Sequence, residues 1–347
     1  MAASGDEGTT GDGRRAGGRP SPHSEALARQ LADVAANVGS VLYGKREVVR
    51  MALACLAAGG HLLIEDLPGV GKTTLAKALA TTLGLHCRRV QFTADLLPSD
   101  LIGAMVLDRE RMTPVFRPGP VFTNILLADE LNRASPKAQS ALLEAMEEGQ
   151  VSVDGVTHPL PQPFMVIATQ NPYDLSGTHP LPFSQRDRFL MRTDIGYPGP
   201  EAEEHLLEMS RSRPRPEDLP VIGGAAMLAE LAATVDAVYV APEVRGYILE
   251  LVAATRDHPS LLFGASPRAG LALLRTSCAF AVTAGRDYLT PDDVKAVAVA
   301  VLSHRLATSA AAELGGSSSA HVVAELLGTV PVPVRTSRGA AAPVGAG

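Results

Sequence analysis

Leu27, Leu31, Val34 and Val38 recur every three to four residues, and a second run of the same period spans Lys45 to Ala58 before Gly59 and Gly60 interrupt it. Apolar positions at that spacing line one face of a helix, and glycine just past the last turn stops one. Two helices are therefore predicted ahead of the first strand. The pattern then shortens. Apolar runs bounded by turn residues occur at HLLIE (61–65), RRVQF (88–92), NILLADE (124–130), FMVIATQ (164–170) and RFLMRTDI (188–195), the length of strands buried on both faces. Helical segments separate several of them: KTTLAKALATTL follows the first, and SPKAQSALLEAMEEG follows the third, with Ser135 placed as an N-cap and Pro136 as the first helical residue. Buried strands alternating with helices predict an α/β unit with a parallel sheet and helices on both faces.

Past GYPGP (196–200) the strand pattern gives way to helical periods near 223–238, from Pro242, from Pro267 to Gly285, and after TPDD at 290–293. A separate all-helical unit is predicted there, and no fixed-period repeat points to a solenoid. Residues 1–22 and the stretch from Gly315 onward are rich in Gly, Ser, Ala and Pro. They hold too little apolar surface to offset the entropy of ordering, so both are expected to be tails, with AHVVAELLG as one short helix in the second.

Composition narrows the function classes. Of 347 residues, 46% are hydrophobic and 20% charged, aromatics make up 4%, and the net charge is −6. That balance lacks the basic field with which nucleic-acid binders displace counterions. The three cysteines, Cys55, Cys87 and Cys278, are far apart and show no CxxC spacing, which favours free buried thiols over a disulfide or a metal site. No apolar signal core and no long apolar run is seen, so the expectation is a cytoplasmic protein without a membrane span.

Chemistry concentrates in HLLIEDLPGVGKTTL (61–75). Strand, glycine loop and helix in that order make a phosphate-binding loop: backbone N–H groups around Gly69 and Gly71 cradle an anion, Lys72 reaches the phosphates, and the Thr73 hydroxyl can ligate Mg²⁺. Asp66 stands where the G-x-x-x-x-G-K-[ST] pattern has its first glycine. Aspartate tolerates a left-handed backbone, but its charge about 4 Å from a phosphate costs roughly 4 kcal/mol at an effective dielectric of 20. Its side chain is therefore expected outside the cradle. In NILLADE, Asp129 and Glu130 end a buried strand, where open α/β sheets bind their ligands. Asp129 is placed to hold the metal and Glu130 to polarise an attacking water.

EDLPGVGKTTLAKALA, QFTADLLPSDLIG, GPVFTNILLADELNRASPKAQSALLEAMEEGQV, PFMVIATQNP, QRDRFLMR, GASPRAGLALLR and GRDYLTPDDVKAV, in that order over residues 25–306, resemble the MoxR family of AAA+ ATPases. The resemblance implies an AAA+ αβα core with a five-stranded parallel sheet (23–198), a smaller all-helical lid (199–310) and a C-terminal tail (311–347). It implies a helix-2 insert at about 101–118 and a β-hairpin insert at about 150–163, both projecting from the ring face or pore where substrate is gripped. It implies ATP and Mg²⁺ as cofactors, with Pro68, Gly69, Val70, Gly71, Lys72, Thr73 and Thr74 around the nucleotide and Thr73 and Asp129 at the metal. Asn171 becomes the sensor-1 residue that orients water. Arg188 becomes the arginine finger reaching the neighbouring subunit's nucleotide, and Arg268 the sensor-2 arginine, carried by the lid and touching the same nucleotide.

One stretch departs from the family pattern: GTHPLPFSQRDRF stands where GTYPLPEAQLDRF is usual, so His179, Phe183, Ser184 and Arg186 are substitutions, and Arg186 competes with Arg188 for the finger role. The function implied is an ATP-hydrolysing ring, a hexamer, that remodels or matures a protein partner, with von Willebrand factor A domain proteins as the class of client. The alternatives are a nucleic-acid motor, disfavoured by the acidic balance and few aromatics, and a nucleotide-binding switch without turnover. No N-K-x-D motif supports guanine recognition.

Overall fold

The computed structural model describes residues 21–110, 112–172, 177–208 and 214–333. Helices α1 (Pro22–Gly39) and α2 (Arg46–Ala57) come first. The Ser21 hydroxyl accepts from the Ser24 amide at 3.1 Å to cap α1. The tail expected at 1–22 otherwise lies outside the described residues. Strand β1 (Leu62–Glu65) and helix α3 (Lys72–Thr82) flank the glycine loop, and β2 (Cys87–Gln91) and the short α4 (Pro98–Ile102) follow. Strands β3 (Gly103–Asp108) and β4 (Thr113–Pro118) pair as an antiparallel hairpin ahead of β5 (Ile125–Asp129) and α5 (Pro136–Glu148). A second hairpin, β6 (Gln150–Val153) with β7 (Val156–Pro159), leads to β8 (Met165–Gln170), α6 (Phe183–Arg186) and β9 (Met191–Thr193).

The five long-range strands form one sheet in the order β2-β5-β8-β1-β9, and every neighbouring pair is parallel. Side chains alternate across it with the period of two that a strand imposes. Leu62, Ile64, Ile125, Leu127, Met165 and Ile167 enter one core, whereas Leu63, Leu126, Ala128, Val166 and Ala168 enter the other. The first core holds α1, α2 and α3, and the second holds α5. Both faces are apolar, so the strands read as continuous hydrophobic runs, as buried parallel strands do.

Helices α7 (Pro200–Glu208), α8 (Ala225–Asp236) and α9 (Pro242–Arg256) follow the sheet, then β10 (Leu261–Phe263), α10 (Pro267–Thr283), α11 (Pro291–Leu302) and β11 (Ala307–Thr308). Thr290 and Asp293 form a reciprocal capping box at the start of α11. The helical set runs past residue 310, where a tail with one short helix at AHVVAELLG is expected: α13 (Ser319–Thr329) matches that helix, and α12 (Ala310–Leu314) precedes it. Val322, Val323 and Leu326 supply α13 with a buried stripe at helical spacing, and three such side chains outweigh the Gly- and Ser-rich flanks. Residues 334–347 lie outside the described set. Burial raises the thiol pKa of Cys87 to about 11 and of Cys278 to about 12, and raises that of Cys55 further, so all three free cysteines stay protonated near neutrality.

His61, just before β1, fixes one edge of this arrangement. Its Nδ1 accepts from the Val166 amide at 3.0 Å, so Nε2 carries the proton and donates to the Met146 carbonyl at 3.0 Å, near the end of α5. Burial lowers its pKa from 6.5 to about 4, and burial also lowers that of His304 well below the ordinary value. Both are buried in the neutral form, so the unfolded chain binds protons that the folded chain does not. Stability is complete above pH 6.5 and falls with acidification by about 1.4 kcal/mol per pH unit for each histidine. The decline from His61 ends near pH 4, where the folded form is protonated too. Denaturant unfolding from pH 7.5 to 4.5 should show this loss, and His61→Gln, which cannot take up the proton, should have a shallower pH slope than the parent chain.

Candidate active site

Parallel strands bring the C-terminal ends of β5, β8 and β1 side by side, and the predicted phosphate loop, Asp129–Glu130 and Asn171 all follow from those ends. Gly69 and Gly71 have φ of +85° and +106°, a region open to glycine at no steric cost. A side chain at Gly71 is doubly excluded, since its Cβ would lie 2.7 Å from Leu42 Cδ1. Gly71 is the N-cap of α3 and provides no side-chain cap, so the first-turn amides from Lys72 onward are left for an anion. Pro68 and Gly69 are exposed, and Val70 to Thr74 are half-buried around the same turn. Lys72 Nζ donates to the Asp66 carbonyl oxygen at 2.6 Å. Burial lowers the pKa of its ammonium, and Asp66, Asp129 and Glu130 oppose that shift through their charges.

The Asp66 carboxylate faces away from this turn. Oδ2 accepts from the amides of Ile195 (2.7 Å) and Gly196 (2.6 Å), and Oδ1 accepts from the Leu67 amide at 2.7 Å. The residue is 8% exposed. It is not among the described residues with positive φ, so aspartate is not tolerated here because of a left-handed backbone. What it contributes is its acceptors, which tie the entrance of the loop to the end of β9, where the chain leaves the sheet.

Glu130 is one of three described non-glycine residues with positive φ, at +56°. Such a backbone costs energy and occurs where a side chain must be aimed. Its carboxylate Oε2 accepts from Gln91 Nε2 at 2.7 Å and lies 3.3 Å from Arg133 Nε. Thr169 Oγ1 donates to Asp129 Oδ1 at 2.6 Å and accepts from the Glu130 amide at 2.9 Å. Arg89 covers the other carboxylate oxygen, with Nη2 2.6 Å and Nε 3.1 Å from Asp129 Oδ2. Gln91, Arg89 and Thr169 escaped the sequence reading. Their signal is strand pairing: β2 beside β5 sets Gln91 opposite Asp129, and β8 beside β5 brings Thr169 to the same end of the sheet. Thr73 and Asp129 offer hydroxyl and carboxylate oxygens beside an anion cradle, a donor set suited to Mg²⁺ shared with phosphates. That ion would compete with Arg89 for Asp129. Asn171 follows β8 directly and is half-buried.

Arg188 and Arg268 lie elsewhere. Arg188 Nη1 pairs with Glu147 Oε2 and donates to the Leu143 carbonyl at 3.0 Å, and Arg268 Nη1 donates to Glu147 Oε1 at 3.2 Å. Both guanidinium groups therefore share one carboxylate at the C-terminal end of α5. Pro136, at the other end of the helix, begins near Glu130, and the intervening turns rise roughly 16 Å at 1.5 Å per residue. Both arginines and the residues just before β1 (Ala58–His61) line one cleft, at the edge of the sheet opposite the glycine loop. Arg188 also borders a cleft of about 580 Å³ with Ser140, Glu144, Glu148 and Gln185. Arg186 is half-buried, as Arg188 is. Burial lowers its pKa, Glu65 opposes the shift and Arg192 adds to it, and its guanidinium sits 5.7 Å from the Phe183 ring centre.

The Asp66 geometry generates a prediction. Asp66→Gly should leave ATP affinity within a few-fold, measured by titration of a fluorescent analogue. It should lower unfolding free energy by about 1–3 kcal/mol, the cost of buried donors losing their acceptor. Lys72→Ala should abolish binding or turnover. A large gain in affinity for Asp66→Gly would mean that the carboxylate faces the nucleotide after all.

Comparison with known proteins places the fold in a family. Residues 61–191 match the family described as ATPase family associated with various cellular activities (AAA), and residues 253–326 match the AAA lid domain. The uncharacterised protein YeaC of Bacillus subtilis is 43% identical over 316 residues, 91% of this chain and 98% of that one. Chaperone MoxR1 of Mycobacterium tuberculosis is 40% identical over 85% of this chain and 80% of its own length. A crystal structure of an ATPase candidate from Cytophaga hutchinsonii superposes with a TM-score of 0.84 at 37% identity, covering 90% of this chain and 97% of that one. A five-stranded parallel αβα sheet, a helical lid and relatives similar along nearly their whole length identify the chain as a member of the MoxR family of AAA+ ATPases.

Proposed function

We propose that the chain hydrolyses ATP in a ring of identical subunits and uses the turnover to remodel a protein partner. The observation that carries this reading is the separation of its charged groups. The phosphate loop with Asp129 and Glu130 sits at the C-terminal edge of the sheet, and Arg188 with Arg268 sits at the opposite edge on Glu147. One copy therefore holds two halves of different sites, and a complete site needs the arginine edge of a second copy. Arg188 serves as the finger rather than Arg186 because Arg188 shares the Glu147 carboxylate with Arg268. Closed rings follow from repeating one such head-to-tail contact when the rotation closes, and six subunits is the number the family resemblance implies.

Within a site, the amides after Gly71 and the Lys72 ammonium hold the phosphates. Glu130, aimed by its left-handed backbone and by Gln91, accepts a proton from the attacking water. Asn171 helps orient that water. Thr73 and Asp129 would hold Mg²⁺, which neutralises phosphate charge when bound. The neighbour's Arg188 and Arg268 then stabilise charge on the transferring phosphoryl group, since a guanidinium stays ionised throughout.

A protein client accords with the two hairpins. Met105, Val106, Leu107 and Val115 of β3–β4 and Val156 of β6–β7 are exposed, an unusual concentration of apolar side chains for a surface that contacts only water. A client carrying a von Willebrand factor A domain is the class that the family resemblance favours. Among the described residues no helix is long and apolar enough to cross a membrane.

The test is ATP turnover by the purified chain beside Glu130→Gln and Arg188→Ala, with sizing in the presence and absence of ATP. Each variant alone should lose on the order of 10³-fold in kcat or more, as removal of a finger does elsewhere. Mixing the two should restore part of the activity, because a Glu130→Gln subunit still lends Arg188 to its neighbour. Turnover no higher than that of Glu130→Gln would end the ATPase reading, mixtures with no recovery would end the shared site, and stimulation by DNA rather than by a protein would favour a nucleic-acid motor.

A further inference from the structure

Arg305 follows α11 and is 3% exposed, and a buried guanidinium is costly unless every donor is used. Here they are used, mostly on one short segment. Nε donates to Asp187 Oδ1 at 2.7 Å, Nη1 to the Leu190 carbonyl at 3.0 Å, and Nη2 to the Phe189 carbonyl at 2.7 Å and the Asp187 carbonyl at 3.3 Å. The remaining Nη1 hydrogen returns to Val301 on its own helix. His304 adds a second hold, with Nε2 2.9 Å from the Phe189 carbonyl. Asp187, Phe189 and Leu190 are the neighbours of Arg188 in the chain.

We propose that Arg305 is the positioning residue for Arg188: it fixes the backbone on both sides of the finger to the helical unit, so that Arg188 and Arg268 move as one body. This rests on the reading of Arg188 as a finger for a neighbour's nucleotide. Simple attachment of helix to sheet would be served as well by apolar packing, which avoids the desolvation of an ion. Directional bonds to successive carbonyls do something packing does not, which is to set the orientation of one particular residue. The body is closed by Glu147, which holds the Arg188 and Arg268 guanidinium groups together. Helix α10 carries Arg268 and packs on α11, whose end carries Arg305. A movement of the lid is thereby delivered to both arginines together.

The test uses the full chain with Arg305→Lys and Asp187→Asn, each alone and combined with Arg188→Ala. Steady-state ATP turnover gives kcat and KM, and amide hydrogen exchange reports the 187–190 segment and the 66–74 loop separately. Each single variant is expected to lower kcat by on the order of 10²-fold, the loss that a displacement of about 1 Å produces. Its KM should stay within roughly threefold, since binding at its own loop is untouched. Added to Arg188→Ala, neither should cost anything further, because both act through the same guanidinium. Exchange at 187–190 should accelerate about tenfold or more while the loop is unchanged. Losses that multiply with Arg188→Ala, or an unchanged kcat, would overturn the proposal. If the parent chain shows no turnover above Glu130→Gln, the ATPase reading fails separately, and unchanged exchange at 187–190 in Asp187→Asn would then overturn the anchoring itself. Should Arg305→Lys not fold, Asp187→Asn, which keeps the arginine and an amide acceptor, carries the same comparison.

Discussion

Parallel pairing of all five strands is the constraint from which the rest follows. It sends the C-terminal ends of β1, β5 and β8 to one edge of the sheet and their N-terminal ends to the other. Because helices cover both faces, the ends are where polar chemistry can reach water and ligand. The phosphate loop and the acidic pair take one edge. Residues 58–61, the end of α5 and the two arginines take the other. A strand of four or five residues spans too great a length for Arg188 to reach back to Lys72, so the topology itself keeps the two arginines of a copy apart from that copy's own phosphate loop.

Around the loop, electrostatic risk is managed by direction. Asp66 brings a carboxylate within one residue of a phosphate-binding turn, yet its oxygens are taken by Leu67, Ile195 and Gly196. Its carbonyl, not its carboxylate, meets Lys72. The same pattern recurs at Asp129, where Thr169 and Arg89 occupy the two oxygens, and at Glu130, held by Gln91. Each anion near the site already has a donor. Phosphates and a cation entering there would meet groups that already have defined partners, and Lys72 and Asp129 would have to leave theirs to bind them.

What could be read in the sequence was what is local. Strand positions, the Ser135 cap and the capping box at Thr290 depend on residues within one turn of each other, and the sequence showed them with small shifts at the ends. The glycine loop and Asp129–Glu130 are contiguous motifs and were equally visible. What stayed hidden depends on pairing across the chain. Asp66 and Ile195 are 129 positions apart, so the aspartate looked like a permissive substitution rather than a tether. Gln91 and Thr169 became partners of the acidic pair only once β2 and β8 were set beside β5. Glu147 was one acid among several in α5 until Arg188 and Arg268 converged on it. The end of the chain was legible only in part for a different reason: AHVVAELLG carries the helical period of α13, but its three buried residues tie it to the lid only through the faces of α9 and α11 that cover them.

Buried charge gives the last step. Arg305 is the most deeply buried arginine among the described residues, and it holds the segment that carries Arg188 directly. Its pKa is lowered by desolvation and restored in part by Asp187, so the fold maintains an ion there against a real cost. An attachment needed only for stability has cheaper solutions in apolar side chains. An attachment that must keep one guanidinium in register with another, across the joint between sheet and lid, does not. In that light the buried arginine and the shared carboxylate are two ends of the same device: Arg305 sets the backbone of Arg188, and Glu147 sets its head against Arg268.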